Sequence, residues 1–415
     1  MSELFEIKEI QEKFVLVAVA VSDKEDTEGS LNELKELAST AGAETVGMVV
    51  QSRESIHPGT YIGKGKIDEV RELVEETNAT GVVCDDELSP AQLKNLEDAL
   101  QTKVLDRTIL ILDIFAGRAS TKEGKIQVEL AQLRYRSTRL VGLRNSLSRL
   151  GGGIGTRGPG EKKLEVDRRL IRDRISILKQ ELENVKRTRE TERQLRIRNR
   201  IPVISIVGYT NAGKSTLLNY LTNADVLEED KLFATLDPTT RNLTMESGQQ
   251  ILLTDTVGFI RKLPHHLIEA FRSTLEEAKY ADIILHVVDS SSPDAYTQMH
   301  IVYKTLKDLG VQDKTIITAF NKQDRVEEDN IIKDFHSDYT IKISAKTGKG
   351  INELLKLIEK VLNERKVLIE RLFTYNEAGK IQTIRKYGQL LLEEYQQDGI
   401  FVRAYVPKDI YDGLY

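Results

Sequence analysis

A glycine-rich loop between a strand pattern and a helix pattern restricts this chain to a small group of folds. The apolar run 202–207 leads directly into a loop of the form G-x-x-x-x-G-K-S, and a helix pattern follows it. The loop residues are Gly208, Tyr209, Thr210, Asn211, Ala212, Gly213, Lys214 and Ser215. A strand, this loop and a helix in that order predict a phosphate-binding loop in an α/β domain.

The composition of the loop explains how it would hold phosphate. Gly208 and Gly213 allow backbone conformations and close approaches that larger residues do not, so the loop amides can face phosphate oxygens. The N-terminus of the following helix adds partial positive charge. Lys214 is predicted to bridge the β- and γ-phosphates, and Ser215 is predicted to bind Mg²⁺.

A D-x-x-G motif ends the next strand pattern, at 249–254. Its residues are Asp255, Thr256, Val257 and Gly258. Asp255 is predicted to hold the magnesium shell, through a water molecule. Gly258 is predicted to donate its backbone N–H to the γ-phosphate, so that the loop senses whether that phosphate is present.

An N-K-x-D motif follows a further strand pattern, at 316–319. Its residues are Asn321, Lys322, Gln323 and Asp324. The Asp324 carboxylate can accept hydrogen bonds from guanine N1–H and the 2-amino group, which adenine lacks, so the motif predicts GTP rather than ATP. Asn321 is predicted to steady the loop, and the stem of Lys322 to lie against the base. Ser344, Ala345 and Lys346 are predicted to close over the other face of the base.

Changes of pattern along the chain predict four parts. Alternating strands and helices indicate an N-terminal α/β domain over 1–106, in which Ser30 is predicted to cap a helix with Glu33 as its capping-box partner. A basic helical segment follows over 107–199, as two antiparallel helices joined by the glycine-rich loop 151–160. The phosphate-loop domain occupies 200–365. A small α/β domain over 366–415 is predicted to have strands at 367–373 and 400–406 around a helix at 378–397.

The helical segment concentrates positive charge. Residues 134–200 contain 20 Lys/Arg and 8 Asp/Glu, a net of +12 in a chain whose formal net charge is −5. This excess favours contact with a polyanion over a merely solvated helical face with internal ion pairs. Tyr135 is the one aromatic residue there, so recognition of RNA by backbone and shape is favoured over base stacking.

Composition excludes several other classes. The single cysteine, Cys84, cannot form an internal disulfide, which suits a reducing compartment. The sequence shows no signal peptide pattern and no apolar run approaching the ~20 residues that span a bilayer. We therefore expect a cytoplasmic protein without a transmembrane segment. A monomer without DNA as a partner is also expected.

Two strings narrow the class of GTP-binding protein. The first lies between the phosphate loop and D-x-x-G, where the first switch is expected, and runs from Phe233 to Arg241 as F-A-T-L-D-P-T-T-R. The second is G-G-I-G-T-R-G-P-G-E at 152–161. Together they closely resemble the HflX family of ribosome-associated GTPases, and the resemblance covers most of the chain.

The resemblance implies roles that the residues alone leave open. Thr235 would be the switch threonine that closes onto Mg²⁺ and the γ-phosphate; by position alone, Thr239 and Thr240 are equal candidates. Together with Lys214 and Gly258, Thr235 forms the expected catalytic set. The remaining switch residues expected near the nucleotide are Phe233, Ala234, Leu236 and Asp237.

The family resemblance also implies a partner. The expected partner is the large ribosomal subunit with its rRNA, bound through 134–200 and loop 151–160, and the expected role is splitting or rescuing stalled ribosomes. Phe259 stands where Ras-type enzymes carry a water-orienting glutamine, which predicts slow hydrolysis that a partner raises. Two alternatives stay open: an RNA-binding assembly protein whose affinity GTP gates, and a GTPase docked peripherally on a membrane.

Overall fold

The computed structural model describes residues 11–21, 26–150, 159–199, 201–222, 232–233, 236, 239–264, 267, 277–326, 332–364 and 366–414. These residues form two compact units. The first unit contains the chain up to Lys186 together with Glu229–Asp237 and Gly258–Ser273. The second contains Arg187–Glu228, Pro238–Val257 and Thr274–Tyr415.

The first unit begins with a four-stranded parallel sheet in the order β2-β1-β3-β4. Its strands are β1 (Lys13–Ala20), β2 (Glu44–Ser52), β3 (Gly81–Cys84) and β4 (Lys103–Asp106). Its helices are α1 (Thr27–Thr40), α2 (Lys64–Thr77), α3 (Pro90–Leu100) and α4 (Arg107–Arg118). The strands β1 and β3 are buried almost throughout, as expected when helices cover both faces of a parallel sheet.

Local capping chemistry sets where two of these helices begin. At α3, Ser89 accepts a hydrogen bond from the Gln92 N–H, and Pro90 occupies the first turn, so the predicted helix start is confirmed. At α1 the predicted cap was wrong, because Asp26 accepts from the Gly29 N–H and the helix starts earlier. Ser30 lies inside the helix and donates to the Asp85 carboxylate instead.

Two long helices follow, α5 (Lys122–Leu150) and α6 (Pro159–Asn199), and α6 belongs to this unit up to Lys186. They pack through a small apolar cluster formed by Ile126, Leu130, Leu178 and Leu182. The Arg174 guanidinium also reaches Glu129, at 2.7 Å. Leu170, nearer the start of α6, lies outside this cluster and is 58% exposed. The loop predicted to join the helices was 151–160; Pro159 and Gly160 instead begin α6, and residues 151–158 lie outside the described residues.

The second unit contains a six-stranded sheet in the order β10-β9-β8-β5-β7-β6. Every neighbouring pair is parallel except β6 with β7. The strands are β5 (Val203–Gly208), β6 (Thr239–Thr244), β7 (Gln250–Asp255), β8 (Ile283–Asp289), β9 (Thr315–Asn321) and β10 (Tyr339–Lys342). The helices are α7 (Lys214–Thr222), α8 (Glu277–Tyr280), α9 (Ala295–Asp308) and α10 (Ile351–Glu364).

The C-terminal segment forms a separate antiparallel sheet in the order β11-β13-β12. Its strands are β11 (Lys366–Phe373), β12 (Gln389–Gln396) and β13 (Gly399–Pro407), with helices α11 (Ala378–Tyr387) and α12 (Lys408–Leu414). The helix predicted over 378–397 was wrong in its second half. It ends at Tyr387, and Gly388 then takes an extended conformation that begins β12.

No helix within the described ranges has the length and apolar character needed to cross a membrane.

Candidate nucleotide site

The phosphate loop joins the end of β5 to the start of α7, as predicted. A Cβ atom on Gly208 would lie 2.3 Å from the Val287 carbonyl oxygen of the neighbouring strand. Gly213 has a left-handed φ of 92°, and a Cβ there would lie 2.3 Å from Asn321 Nδ2. Both positions therefore require glycine, because neither the backbone nor the packed amide leaves room for a side chain.

The Lys214 side chain is held against the phosphate loop, to which it would contribute a positive charge. Its ammonium donates to the Tyr209 carbonyl at 2.7 Å, and the residue is buried. Burial lowers the pKa of Lys214 to about 8, an effect that the nearby Asp255 carboxylate opposes. A buried cation with a lowered pKa suits the binding of a polyanion, because a bound phosphate would stabilise the charged form of the lysine.

Ser215 and Asp255 bring two oxygen donors together beside the loop. The Ser215 hydroxyl donates to Asp255 Oδ2 at 2.8 Å, and Asp255 is fully buried at the end of β7. Mg²⁺ binds hydroxyl, carboxylate and water oxygens. These two side chains therefore fit a magnesium ion.

Three further residues of these motifs differ in their surroundings. The Thr256 hydroxyl donates to the Ile206 carbonyl at 2.8 Å, which ties the start of the D-x-x-G loop to the phosphate-loop strand. Thr210 is buried in the phosphate loop, and its hydroxyl has no partner among the described residues. Asn211, in contrast, is exposed and has a left-handed φ of 60°.

Asn321 connects the phosphate loop to the predicted base loops. Its Nδ2 donates to the Ala212 carbonyl at 2.9 Å, and its Oδ1 accepts from the Ala345 N–H at 2.8 Å. Only 2% of Asn321 is exposed. One buried amide thus joins three segments that are far apart in sequence.

Asp324 is exposed at the mouth of this region, and Ser344 orients it. The buried Ser344 hydroxyl donates to Asp324 Oδ1 at 2.6 Å. This hydrogen bond is the main reason that the pKa of Asp324 is lowered. The carboxylate is therefore ionised at neutral pH and can accept hydrogen bonds from a base. Ala345 is buried beside it, and Lys346 is exposed.

The predicted first switch is described only in part. Phe233 and Leu236 are buried, and the Phe233 ring meets the Phe115 ring edge-on at 4.7 Å. Ala234, Thr235 and Asp237 lie outside the described residues. Thr239 and Thr240 belong to β6, where they pair with Asp255 and Thr254 of β7.

The segment that follows D-x-x-G contacts the N-terminal sheet within the first unit. Gly258 is buried, and so is Phe259, which packs as an apolar side chain. Arg261 reaches Asp26 at 2.8 Å. Lys262 reaches both Asp85 and Asp86, each at 2.6 Å. These ion pairs were not predicted from the sequence, although the adjacent basic pair is visible there.

Comparison with known proteins assigns these motifs to a family. Three family models match in succession: "GTP-binding GTPase N-terminal" at 28–116, "GTP-binding GTPase Middle Region" at 118–196 and "50S ribosome-binding GTPase" at 203–322. A "GTPase HflX" of Lacrimispora saccharolytica is 68% identical over 100% of this chain and 98% of that protein. The chain belongs to the HflX family of GTPases. It is thus a GTPase, with GTP as its substrate, and the resemblance found in the sequence is confirmed.

Other proteins are also similar to this chain over most of its length. The HflX GTPase of Caldanaerobacter subterraneus is 52% identical over 99% of this chain and 94% of that protein. That of Escherichia coli is 44% identical over 87% of this chain and 85% of that protein. A solved structure described as "crystal structure of SsGBP and GDP complex" is 26% identical, with a TM-score of 0.48, over 85% of this chain and 98% of that one.

Proposed function

We propose that this HflX GTPase binds the large ribosomal subunit in a nucleotide-dependent manner and splits or rescues stalled ribosomes. The match of residues 203–322 to a family of 50S ribosome-binding GTPases is the observation that carries the proposal. The chemistry of the long helices supports it.

At the nucleotide, we assign roles to groups that the fold brings together. Lys214 and the loop amides would hold the β- and γ-phosphates, and Ser215 with Asp255, the latter through water, would hold Mg²⁺. When bound, the magnesium ion would offset negative charge on the phosphates. Thr235 would close the first switch, Gly258 would sense the γ-phosphate, and Asp324 would select guanine.

Slow intrinsic hydrolysis follows from the buried side chain after Gly258. Phe259 is 2% exposed and carries no group that could orient water or stabilise charge. A partner that orders the switches or adds charge would then raise turnover. The ribosomal subunit is the proposed partner in this role.

The surface of α6 suits a large polyanionic partner. Arg169, Arg172 and Lys179 are exposed on it. Val166, Leu170 and Ile177 form an exposed apolar stripe, with exposed fractions of 47%, 58% and 49%. Arginine binds phosphate through a planar fork, and apolar side chains add contact area that charge alone does not supply.

The first test is GTP hydrolysis with and without purified large ribosomal subunits. We expect strong stimulation of the unmodified protein. A triple variant, Arg169→Gln, Arg172→Gln and Lys179→Gln, should keep its basal turnover and show little of the stimulation. Its apparent affinity for the subunit should also depend less steeply on salt. The slope of log K against log salt concentration should become shallower by about 0.7–0.9 for each phosphate that the variant no longer neutralises.

A matched variant controls for net charge. Lys304, Lys307 and Lys356 are exposed on helices of the second unit, so their replacement by glutamine removes the same charge elsewhere. This control should be stimulated normally. Equal losses in both triple variants would contradict a role for α6, and no stimulation of the unmodified protein would contradict the ribosomal proposal.

A non-hydrolysable GTP analogue distinguishes the proposed function from the alternative of an RNA-binding assembly protein whose affinity is gated by GTP. If the analogue supports the whole cellular effect, hydrolysis is incidental and the assembly role is favoured. Flotation with anionic vesicles tests membrane docking, which the exposed stripe on α6 makes worth measuring.

A further inference from the structure

The turn at the carboxyl end of β8 lies directly beside the predicted base loop. In the parallel pairing of β8 with β9, Asp289 is opposite Asn321. The backbone N–H of Ser290 donates to the Asn321 carbonyl at 3.0 Å. The turn therefore begins where the N-K-x-D motif begins.

The Asp289 carboxylate is oriented from both sides. Its Oδ1 accepts from the backbone N–H and the hydroxyl of Ser291, at 2.9 and 2.6 Å. Its Oδ2 lies 2.7 Å from the Lys322 ammonium. Both side chains of this ion pair are 16% exposed, so water screens the pair less than it would a surface pair.

The same turn holds the next residue of the base loop. Gln323 Nε2 donates to the Ser290 hydroxyl at 2.9 Å. Lys322 lies between Asn321 and Gln323, which both contact Ser290, and it has a left-handed φ of 61°, a conformation that is energetically unfavourable for lysine. Asp289 holds the Lys322 ammonium, and Ser290 holds the residues before and after Lys322, so these contacts together keep Lys322 in that conformation.

We infer that Asp289 is a positioning residue for guanine nucleotide binding. By holding the ammonium of Lys322, it fixes the aliphatic stem of that side chain in the place where the stem would lie against the base. The inference deepens the proposed function, because it rests on the assignment of Asn321–Asp324 as the base loop.

The sign of the expected effect separates positioning from simple electrostatics. Removal of a carboxylate near a triphosphate site would, by charge alone, strengthen the binding of the anion. A positioning role predicts the opposite. Asp289→Asn should weaken the binding of GTP and GDP alike, by about tenfold, which is typical of removing one charge-assisted hydrogen bond. Turnover at saturating GTP should be unchanged, because the base does not react.

A double-mutant cycle tests whether Asp289 acts through Lys322. Affinities for fluorescent GDP and GTP are measured for the unmodified protein, Asp289→Asn, Lys322→Met and the double variant. In the Lys322→Met background there is no ammonium to hold, so Asp289→Asn should cost almost nothing further. Asp308→Asn, an exposed carboxylate at the end of α9, is the matched charge control and should bind normally.

The outcomes separate the inference from its foundation. An equal loss in both backgrounds, or unchanged or tighter binding by Asp289→Asn, overturns the inference. Asp324→Asn tests the base loop itself, because an amide can donate to the 2-oxo group of xanthine where the carboxylate accepts from guanine. If that variant does not exchange guanine for xanthine nucleotides, the base loop assignment fails, and the inference fails with it.

Discussion

The parallel N-terminal sheet and the mixed sheet that contains β5 place different chemistry at the carboxyl ends of their strands. In the sheet that contains β5, the carboxyl end of β5 leads to glycines, loop amides and a buried lysine, and β7 beside it ends at the buried Asp255. In the N-terminal sheet, the residues at and just after the carboxyl ends of β3 and β4 are the buried carboxylates Asp85 and Asp106. Ligands of open α/β sheets generally bind in a crevice at this edge. We therefore call the residues around Asp85 and Asp106 the N-terminal crevice and those around Lys214 the phosphate-loop crevice.

Charge pairing distinguishes the two crevices. Asp85 is paired with Arg107 and Lys262 of the same chain, and Asp106 with Arg139. Burial alone would lower the pKa of Lys262, but its two carboxylate partners raise it overall. The pKa of Lys214 is instead lowered, because burial outweighs its neighbours. The N-terminal crevice thus satisfies its own charges, whereas the phosphate loop holds a cation that a ligand would stabilise.

The largest expected effect is the loss of stability when the buried ion pair between Asp85 and Arg107 is broken. Asp85→Ala leaves the buried Arg107 short of one carboxylate, and breaking a buried ion pair costs about 3–5 kcal/mol. Hydrogen exchange of the β1 and β3 amides should show this loss of stability. Asp98→Ala removes an exposed carboxylate on α3 and should change stability by less than about 0.5 kcal/mol. A similar small change for Asp85→Ala would mean that the network contributes little.

The next largest effect is on GTP turnover, and it comes from replacing Lys214 in the phosphate loop. Lys214→Met should lower GTP turnover about 10²–10³-fold, because a charge aimed at the reacting phosphates is removed. The ligand-free protein should be at least as stable as before, since a desolvated cation has been replaced by an apolar side chain. Turnover assays and thermal unfolding without nucleotide measure the two properties. Lys307→Met, on the surface of α9, should change neither.

A glycine pair tests the close packing of the phosphate loop. Gly213→Ala combines an unfavourable left-handed φ with a clash against Asn321, so nucleotide affinity should fall and stability should drop by about 1–3 kcal/mol. Gly248 has a similar φ of 80° but open space around its Cβ position. Gly248→Ala should therefore lower stability by about 1 kcal/mol and leave nucleotide affinity unchanged. Equal affinity for both variants would argue against the close approach of Asn321 to Gly213.

The smallest effect is a pH dependence. Nucleotide should bind less tightly as pH rises through about 8, because Lys214 loses its proton there in the free protein. Its unfolded pKa is near 10.5, so the unfolded chain binds more protons between about 8 and 10.5, and the ligand-free domain should gain stability over that window. Calorimetry at pH 8.5 in buffers of different ionisation enthalpy should detect proton uptake on GDP binding. Absence of uptake would contradict the lowered pKa.

Prediction from sequence succeeded where residue type and local chain geometry coincide. The phosphate loop, D-x-x-G and N-K-x-D were each placed after a predicted strand, and the structure has β5, β7 and β9 there. Their contacts with a nucleotide stay predictions. Ser89 and Pro90 also identified their helix start. Prediction failed where a tertiary contact decides between local alternatives. Ser30 has the chemistry of a cap, yet the buried Asp85 carboxylate accepts its hydroxyl and Asp26 caps the helix.

By itself, then, the sequence determined the family and the α/β class, and it predicted which residues would contact the nucleotide, because backbone conformation and hydrogen-bonding chemistry are local properties. Tertiary structure alone decided what those residues touch. Asn321 joins the phosphate loop to the Ala345 loop, and Asp289 holds Lys322. Outside the predicted nucleotide contacts, Lys262 pairs with Asp85 and Asp86. Each of these contacts joins residues far apart in the chain, and only the packing of strands and loops in the fold brings such residues within hydrogen-bonding distance.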